Sequence, residues 1–300
     1  MSIITTAQAV PSRLFSLYAA LADSPAGEPR ERLEAWSTPP SLRTRGGSEE
    51  DGEGSTTLFT NTFAEARRLG LIEEEGEKIR LGNDARGGSD KKGLSEEQFK
   101  NYLLRTLFEP KRAAETQQAG FMLALAWLLT LNPLVPIGFR EAPQNRLKAT
   151  LGDDYAETEL TSLNRYQNML YWARYLGFAI LYGSSDGDRR VIPDPTRAIQ
   201  GAIPAIFAEA PILAASEFMA RLSAIYPVFE GGSARQRIDQ MSGHSSLSDD
   251  GKLSPATSFA LQRLADARTI EFSQSADAAP FILEVGARAI RFSHIAKRAN

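Results

Sequence analysis

Apolar residues recur with helical spacing from Phe59 to Leu69 and with strand spacing directly afterwards, and the same change of period returns twice further along the chain. Phe63, Ala66 and Leu69 fall on one helical face, Gly70 supplies a left-handed residue that ends the helix, and Leu71-Ile72 opens a strand. Glu73 to Glu77 form a polar turn around Gly76, and Lys78-Ile79-Arg80-Leu81 alternates polar and apolar as the returning strand. A helix, a stop and a charged hairpin in this order predict a winged helix-turn-helix.

In the second copy, Asn164 to Pro195, the helical stripe is Tyr166, Met169, Leu170 and Ala173, and Leu176-Gly177 repeats the stop. Phe178 to Tyr182 is the first strand, Gly183 to Asp188 the turn, and Arg189 to Ile192 the return before Pro193. In the third, Pro255 to Leu283, Phe259, Ala260, Leu261 and Leu264 form the stripe, Thr269 to Phe272 the first strand and Phe281 to Leu283 the second. Ala267-Arg268 stands there in place of Leu-Gly. The irregular spacing of the copies excludes a solenoid of fixed period. The expected fold is therefore mainly α with small β-hairpins, as two to three tandem winged helix-turn-helix modules joined by helical segments. Expected domains are 1–86, an N-terminal winged helix; 94–208, a helical segment plus the second module; and 209–300, a C-terminal helical region holding the third candidate.

Between the modules, Leu14, Leu17, Tyr18 and Leu21 mark an amphipathic helix after Val10-Pro11, and Arg30 to Ala35 a short second one. Pro39 through Thr57 reads as a mobile loop, Asn83 to Gly93 as a linker, and Ser95 with Gln98 as a capping box opening a helix to Leu107. Glu115 to Leu131 is expected as one apolar helix holding Trp127, with Leu213 to Ile225 and Ser233 to Met241 as further helices. Its most apolar window, about 11 residues, falls short of the roughly 20 that span a bilayer.

Three hundred residues with a 42% hydrophobic fraction suffice for a sizeable core. Absence of cysteine rules out disulfides and thiolate-held zinc. No basic stretch followed by a long apolar run opens the chain, so a cytoplasmic protein without a membrane partner is expected. A formal charge of −3 argues against a chain coated by nucleic acid through bulk electrostatics. Local patches differ in sign: Glu49 to Glu53 and Glu73 to Glu77 are acidic, while Arg67-Arg68, Arg189-Arg190 and Lys297-Arg298 are basic.

Catalytic chemistry finds no anchor. His244 lies in a Gly/Ser loop near Asp249 and Asp250, without the strand-turn-helix elbow a nucleophilic serine requires. His294 is distant from it, which leaves no zinc spacing, and reads as a surface or anion contact. Asp186-Gly187-Asp188 lacks the glutamate that closes a calcium loop, and Gly231-Gly232-Ser233 lacks the lysine of a nucleoside-triphosphate loop. The sequence thus predicts a protein that is not an enzyme and needs no cofactor or metal.

The positive candidates lie opposite the apolar stripes and on the wings. In the first module they are Thr60, Asn61, Arg67 and Arg68 with Lys78 and Arg80; in the second, Asn164, Arg165, Gln167, Asn168 and Arg174 with Arg189 and Arg190. Amides and guanidinium groups match base edges, and wing cations track phosphates, so double-stranded DNA is the expected partner. Tyr171, Trp172 and Tyr175 are read as core or as a protein-facing surface.

The blocks Thr5 to Leu14, Pro39-Pro40-Ser41-Leu42 and Ala66-Arg67-Arg68-Leu69-Gly70-Leu71-Ile72 resemble the DpdG proteins, chiefly over the first ninety or so residues. That resemblance implies a component of bacterial gene clusters that install deazaguanine bases in DNA and restrict unmodified DNA, with no assigned catalytic residue. The function expected is a non-catalytic DNA-binding or scaffolding subunit of an anti-phage restriction system, in contact with other subunits of a defence complex. A stand-alone winged-helix transcriptional regulator is the alternative. A restriction nuclease would need a carboxylate and lysine metal site that the sequence does not display.

Overall fold

In a computed structural model of the chain, the structure describes residues 1–6, 9–37, 53–86, 95–184, 188–243 and 251–298. The fold is mainly helical, with small antiparallel sheets of two or three strands. The chain divides into two compact units, Met1–Gln118 and Ala119–Asn300. The expected loop after Pro39 and the expected linker after Asn83 lie largely outside the described residues, as do His244 and Asp186-Gly187.

The first unit comprises α1 (Pro11–Ala22), β1 (Glu28–Pro29), α2 (Arg30–Ser37), α3 (Glu53–Arg68), β2 (Ile72–Glu75), β3 (Lys78–Leu81), α4 (Glu96–Phe108) and α5 (Pro110–Glu115). Proline opens α1, where its fixed φ suits the first turn and its missing N–H costs nothing. Leu14, Leu17, Tyr18 and Leu21 of α1 are buried, as are Phe59, Phe63 and Ala66 of α3, Leu69 just beyond it, and Ile72, Ile79 and Leu81 of the hairpin. The strands pair in the order β1-β3-β2. Helix α4 begins at the expected capping box, with Ser95 and Gln98 satisfying each other's backbone N–H groups. It belongs to the same core, since the Phe99 ring lies 5.0 Å from that of Tyr18 and 5.4 Å from that of Phe15.

The second unit begins with α6 (Ala119–Leu128), a helix buried on nearly every side, including Trp127. The expected single helix from Glu115 is broken: α5 ends at Glu115, and Gln117 takes a φ of 56° before α6 starts. There follow β4 (Ile137–Gly138), α7 (Gln144–Leu151), a 3-10 segment (Gly152–Thr158), α8 (Leu163–Leu176), β5 (Ala179–Tyr182), β6 (Arg190–Pro193) and α9 (Thr196–Ile206). The strands pair in the order β4-β6-β5. The remainder is β7 (Ile212–Ala214), α10 (Ala215–Ile225), α11 (Ser233–Ser242), α12 (Pro255–Asp266), β8 (Ile270–Ser273), β9 (Phe281–Val285), β10 (Arg288–Phe292) and β11 (His294–Lys297).

All three copies of the helix-strand junction share one hydrogen-bonded form. Leu71 N–H donates to the Ala66 carbonyl at 2.9 Å, Phe178 N–H to Ala173 at 2.8 Å, and Thr269 N–H to Leu264 at 2.9 Å. These are the six-to-one bonds of a Schellman stop, which needs a left-handed residue just before the donor. Gly70 and Gly177 supply it with φ of 71° and 94°, and Arg268 fills the same place with φ of 57°.

The third sheet departs from expectation. Its order is β7-β11-β8, so the strand that returns against β8 is β11, with His294 opposite Ser273 and Lys297 opposite Ile270. Phe281 to Leu283, expected in that role, belongs to β9 and pairs with β10 in a separate hairpin, Leu283 opposite Ile290. An alternating apolar run states that a segment is a strand but carries no information about its partner. His294, in β11, is half-buried, and its ring nitrogen lies 2.9 Å from the Ser293 hydroxyl.

A buried polar knot anchors this third copy. The Glu230 carboxylate accepts the Ser254 N–H at 2.8 Å and the Thr257 hydroxyl at 2.9 Å, so it caps α12 from outside the helix. Arg235, also buried, lies 3.8 Å from Glu230 and donates to Asp239 at 2.9 Å.

Candidate nucleic-acid interface

Helix α8 is capped by the Ser162 hydroxyl, which accepts the Arg165 N–H at 3.3 Å, and is closed by Gly177. Tyr166, Met169, Leu170, Trp172, Ala173 and Leu176 are buried. The Tyr166 hydroxyl donates to the Gly138 carbonyl at 3.2 Å, which fixes the helix to β4. The opposite face shows Asn164, Gln167, Tyr171 and Arg174, spaced i, i+3, i+7 and i+10, as one stripe with no acidic residue anywhere on the helix.

The hairpin β5–β6 brings a cation, Arg189, beside that stripe. Arg189 donates to the Tyr171 hydroxyl at 3.5 Å, and its guanidinium lies 5.1 Å from the Phe139 ring centroid. Phe139 meets Tyr171 edge-on at 5.4 Å, so Arg189 is held by two aromatic groups, with no carboxylate paired to it among the described residues. Arg190 is exposed on β6, opposite Gly138 of β4. Nearby Glu141 receives a hydrogen bond from Arg146 at 3.0 Å, and this bond, helped by the Gly138 N–H and the Arg190 charge, holds its carboxyl below the usual range.

Of the residues singled out in the second module, Asn164 and Arg174 are exposed on α8. Arg165 turns back onto the preceding loop, donating to Thr161 at 3.1 Å and to the Glu159 carbonyl at 3.4 Å. Asn168 does not join them, because it sits on the inward face at 4% exposure; Gln167 occupies the outward position beside it. Tyr171, expected as core or protein contact, stands at the centre of the stripe, and the signal for it was its seven-residue offset from Asn164.

In the first module the same elements carry a different charge balance. Asn61 is half-buried on α3 and Lys78 is exposed at the wing. Arg67 pairs with Glu74 at 3.6 Å and Arg80 with Glu75 at 2.5 Å. Arg68 is committed internally: it pairs with Glu65 and donates to the carbonyls of Met1, at 2.9 Å, and Thr116. In the third copy, Arg263 on the exposed side of α12 pairs with buried Asp194, which also accepts the Thr196 N–H at 3.0 Å. Gln262 there donates to Asp266 at 2.8 Å.

Gly232, the second glycine of the candidate phosphate loop, precedes α11 where a Cβ would lie 2.4 Å from the Pro227 carbonyl oxygen. Close packing accounts for it. Among the described residues no helix is long and apolar enough to cross a membrane.

No curated protein and no solved structure matches the chain. The sequence model of one family does match it, over residues 1–278, from the N-terminus through all three helix stops and up to the start of the β9–β10 hairpin. With that extent of agreement, the chain belongs to the DpdG-like family.

Proposed function

We propose that the chain is a non-catalytic scaffold subunit built of winged helix-turn-helix modules, and that its second module is the one that meets double-stranded DNA. The element order helix, short strand, two helices (three in the third copy, α10 to α12), then paired strands, with the last strand central in each three-stranded sheet, supports the winged-helix reading of the copies. The hairpin β9–β10 is then an insertion within the third wing.

One observation carries the DNA reading: the acid-free stripe Asn164, Gln167, Tyr171 and Arg174 lies beside a wing holding Arg189 and Arg190. Amide and guanidinium groups on such a helix suit base edges in the major groove, while wing arginines suit phosphates. In the first and third modules more of the candidate cations face carboxylates: Arg67 lies 3.6 Å from Glu74, and Arg80, Arg68 and Arg263 pair with Glu75, Glu65 and Asp194. Membership of the DpdG-like family supports a place beside other subunits of a bacterial, cytoplasmic system that modifies DNA with deazaguanine and restricts DNA lacking it.

The test is a salt series of duplex binding by fluorescence anisotropy. Each phosphate contact contributes about 0.9 to the slope of log affinity against log salt. Replacing Arg189 and Arg190 together by alanine is expected to flatten the slope by up to roughly two units. An unchanged slope removes the second module from the DNA. Co-purification with neighbouring gene products tests the scaffold role, whereas a lone symmetric dimer bound to paired half-sites indicates a regulator.

A further inference from the structure

We propose that the groove between α2 and α3 of the first unit is a docking site for a peptide segment of a partner protein that presents a carboxylate among apolar side chains. This assignment rests on the reading of the chain as a scaffold, and it names the surface and the chemistry by which the first unit takes a partner. The cavity measures about 490 Å³ and is lined by Arg30, Thr60, Phe63, Ala64, Arg67, Arg68 and Glu74.

Its chemistry follows from how its cations are held. The Arg30 guanidinium sits 4.8 Å from the Phe63 ring centroid and 5.9 Å from that of Phe59, and no carboxylate of the described residues pairs with it. Stacking on two rings restrains the guanidinium plane while leaving its N–H edge for an incoming acceptor, so less side-chain entropy remains to be lost on binding. Arg67, which also lines the cavity, is exposed and only loosely paired, 3.6 Å from Glu74. Arg68 also lines the cavity but is spent on Glu65 and two backbone carbonyls. Two available guanidinium groups over a floor of Phe63 and Ala64 match a carboxylate flanked by apolar groups, with bidentate pairing at Arg30.

Nucleic acid is the poorer occupant. The adjacent hairpin carries Glu73, Glu74, Glu75 and Glu77, of which the last three are exposed. A duplex lying along α3 would bring its phosphates against these carboxylates, and like charges across an interface cost several kcal/mol. A short peptide reaches Arg30 and Arg67 while meeting only Glu74 of the hairpin, a carboxylate that already faces Arg67.

The test uses the full chain with three labelled probes: a short peptide alternating glutamate and leucine, its lysine–leucine counterpart, and duplex DNA. The acidic peptide is expected to bind, the basic one not, and Arg30→Gln to weaken the acidic peptide by about tenfold or more while leaving duplex binding and melting temperature unchanged. Arg30→Lys, which keeps the charge but not the planar fork, is expected to restore only part of the affinity. Equal binding of both peptides, no binding of the acidic one, or indifference to Arg30→Gln overturns the proposal. Loss of peptide, duplex and thermal stability together also overturns it, by assigning Arg30 to the fold. Failure of the wild-type chain to bind duplex bears on the DNA reading alone.

Discussion

Tyr102 donates its hydroxyl hydrogen to the Leu69 carbonyl oxygen at 2.7 Å, so a residue of α4 completes the helix stop of α3 thirty-three positions earlier. Burial pushes the Tyr102 hydroxyl up to about 12, because the phenolate would lose its hydration there. Tyr102→Phe is expected to cost about 1 kcal/mol at neutral pH. With the folded value above the ordinary tyrosine value of about 10, the stabilisation from this group is full below pH 10 and is lost as pH rises through about 12. Chemical denaturation across that window is expected to show a shallower alkaline loss in Tyr102→Phe than in wild type. Tyr226, also raised to about 12 by burial, is common to both proteins and cancels in the comparison.

The same contact bears on the minimal folding unit. A fragment ending at Arg86 lacks Phe99 and Tyr102, whereas one ending at Gln118 keeps the whole first core. The longer fragment is expected to give dispersed proton NMR spectra and a cooperative melt, and the shorter one a lower melting temperature or none.

The three helix stops make a ranked series. Gly70→Val forces a branched residue to positive φ, at a cost above about 1 kcal/mol. Gly177→Val is expected to cost more, since its Cβ would also lie 3.0 Å from the Arg197 Cβ and 3.1 Å from the Ala198 nitrogen. Arg268→Gly runs the other way: glycine relieves the left-handed strain and is expected to raise stability by up to about 1 kcal/mol. Thermal melts of the three variants check the order.

Glu230→Ala is expected to be among the most damaging single changes. It leaves buried Arg235 short of a counter-charge and strips α12 of its external cap, a loss of roughly 3–5 kcal/mol. Glu230→Gln keeps an acceptor and is expected to lie between it and wild type. Equal melting temperatures for all three proteins would remove the polar knot from the account of stability.

What the sequence determined by itself is what neighbouring residues settle among themselves. The apolar stripes of α3, α8 and α12, the stops at Gly70 and Gly177, the Ser95–Gln98 capping box and the β2–β3 and β5–β6 hairpins all depend on contacts within a few positions, and all were legible. The two-residue strands β1 and β4 were not, because Glu28–Pro29 and Ile137–Gly138 are too short to show an alternating period and exist only where β3 and β6 offer an edge. Tertiary structure alone decided that β11 rather than β9 closes the third sheet, since both are strands by pattern and only packing selects the partner. It also decided the fate of the candidate cations. Arg68 and Arg189 look alike in the chain, yet one meets Glu65 and two backbone carbonyls while the other meets Phe139 and Tyr171, because a long charged side chain takes its partner from whatever the fold brings within its reach.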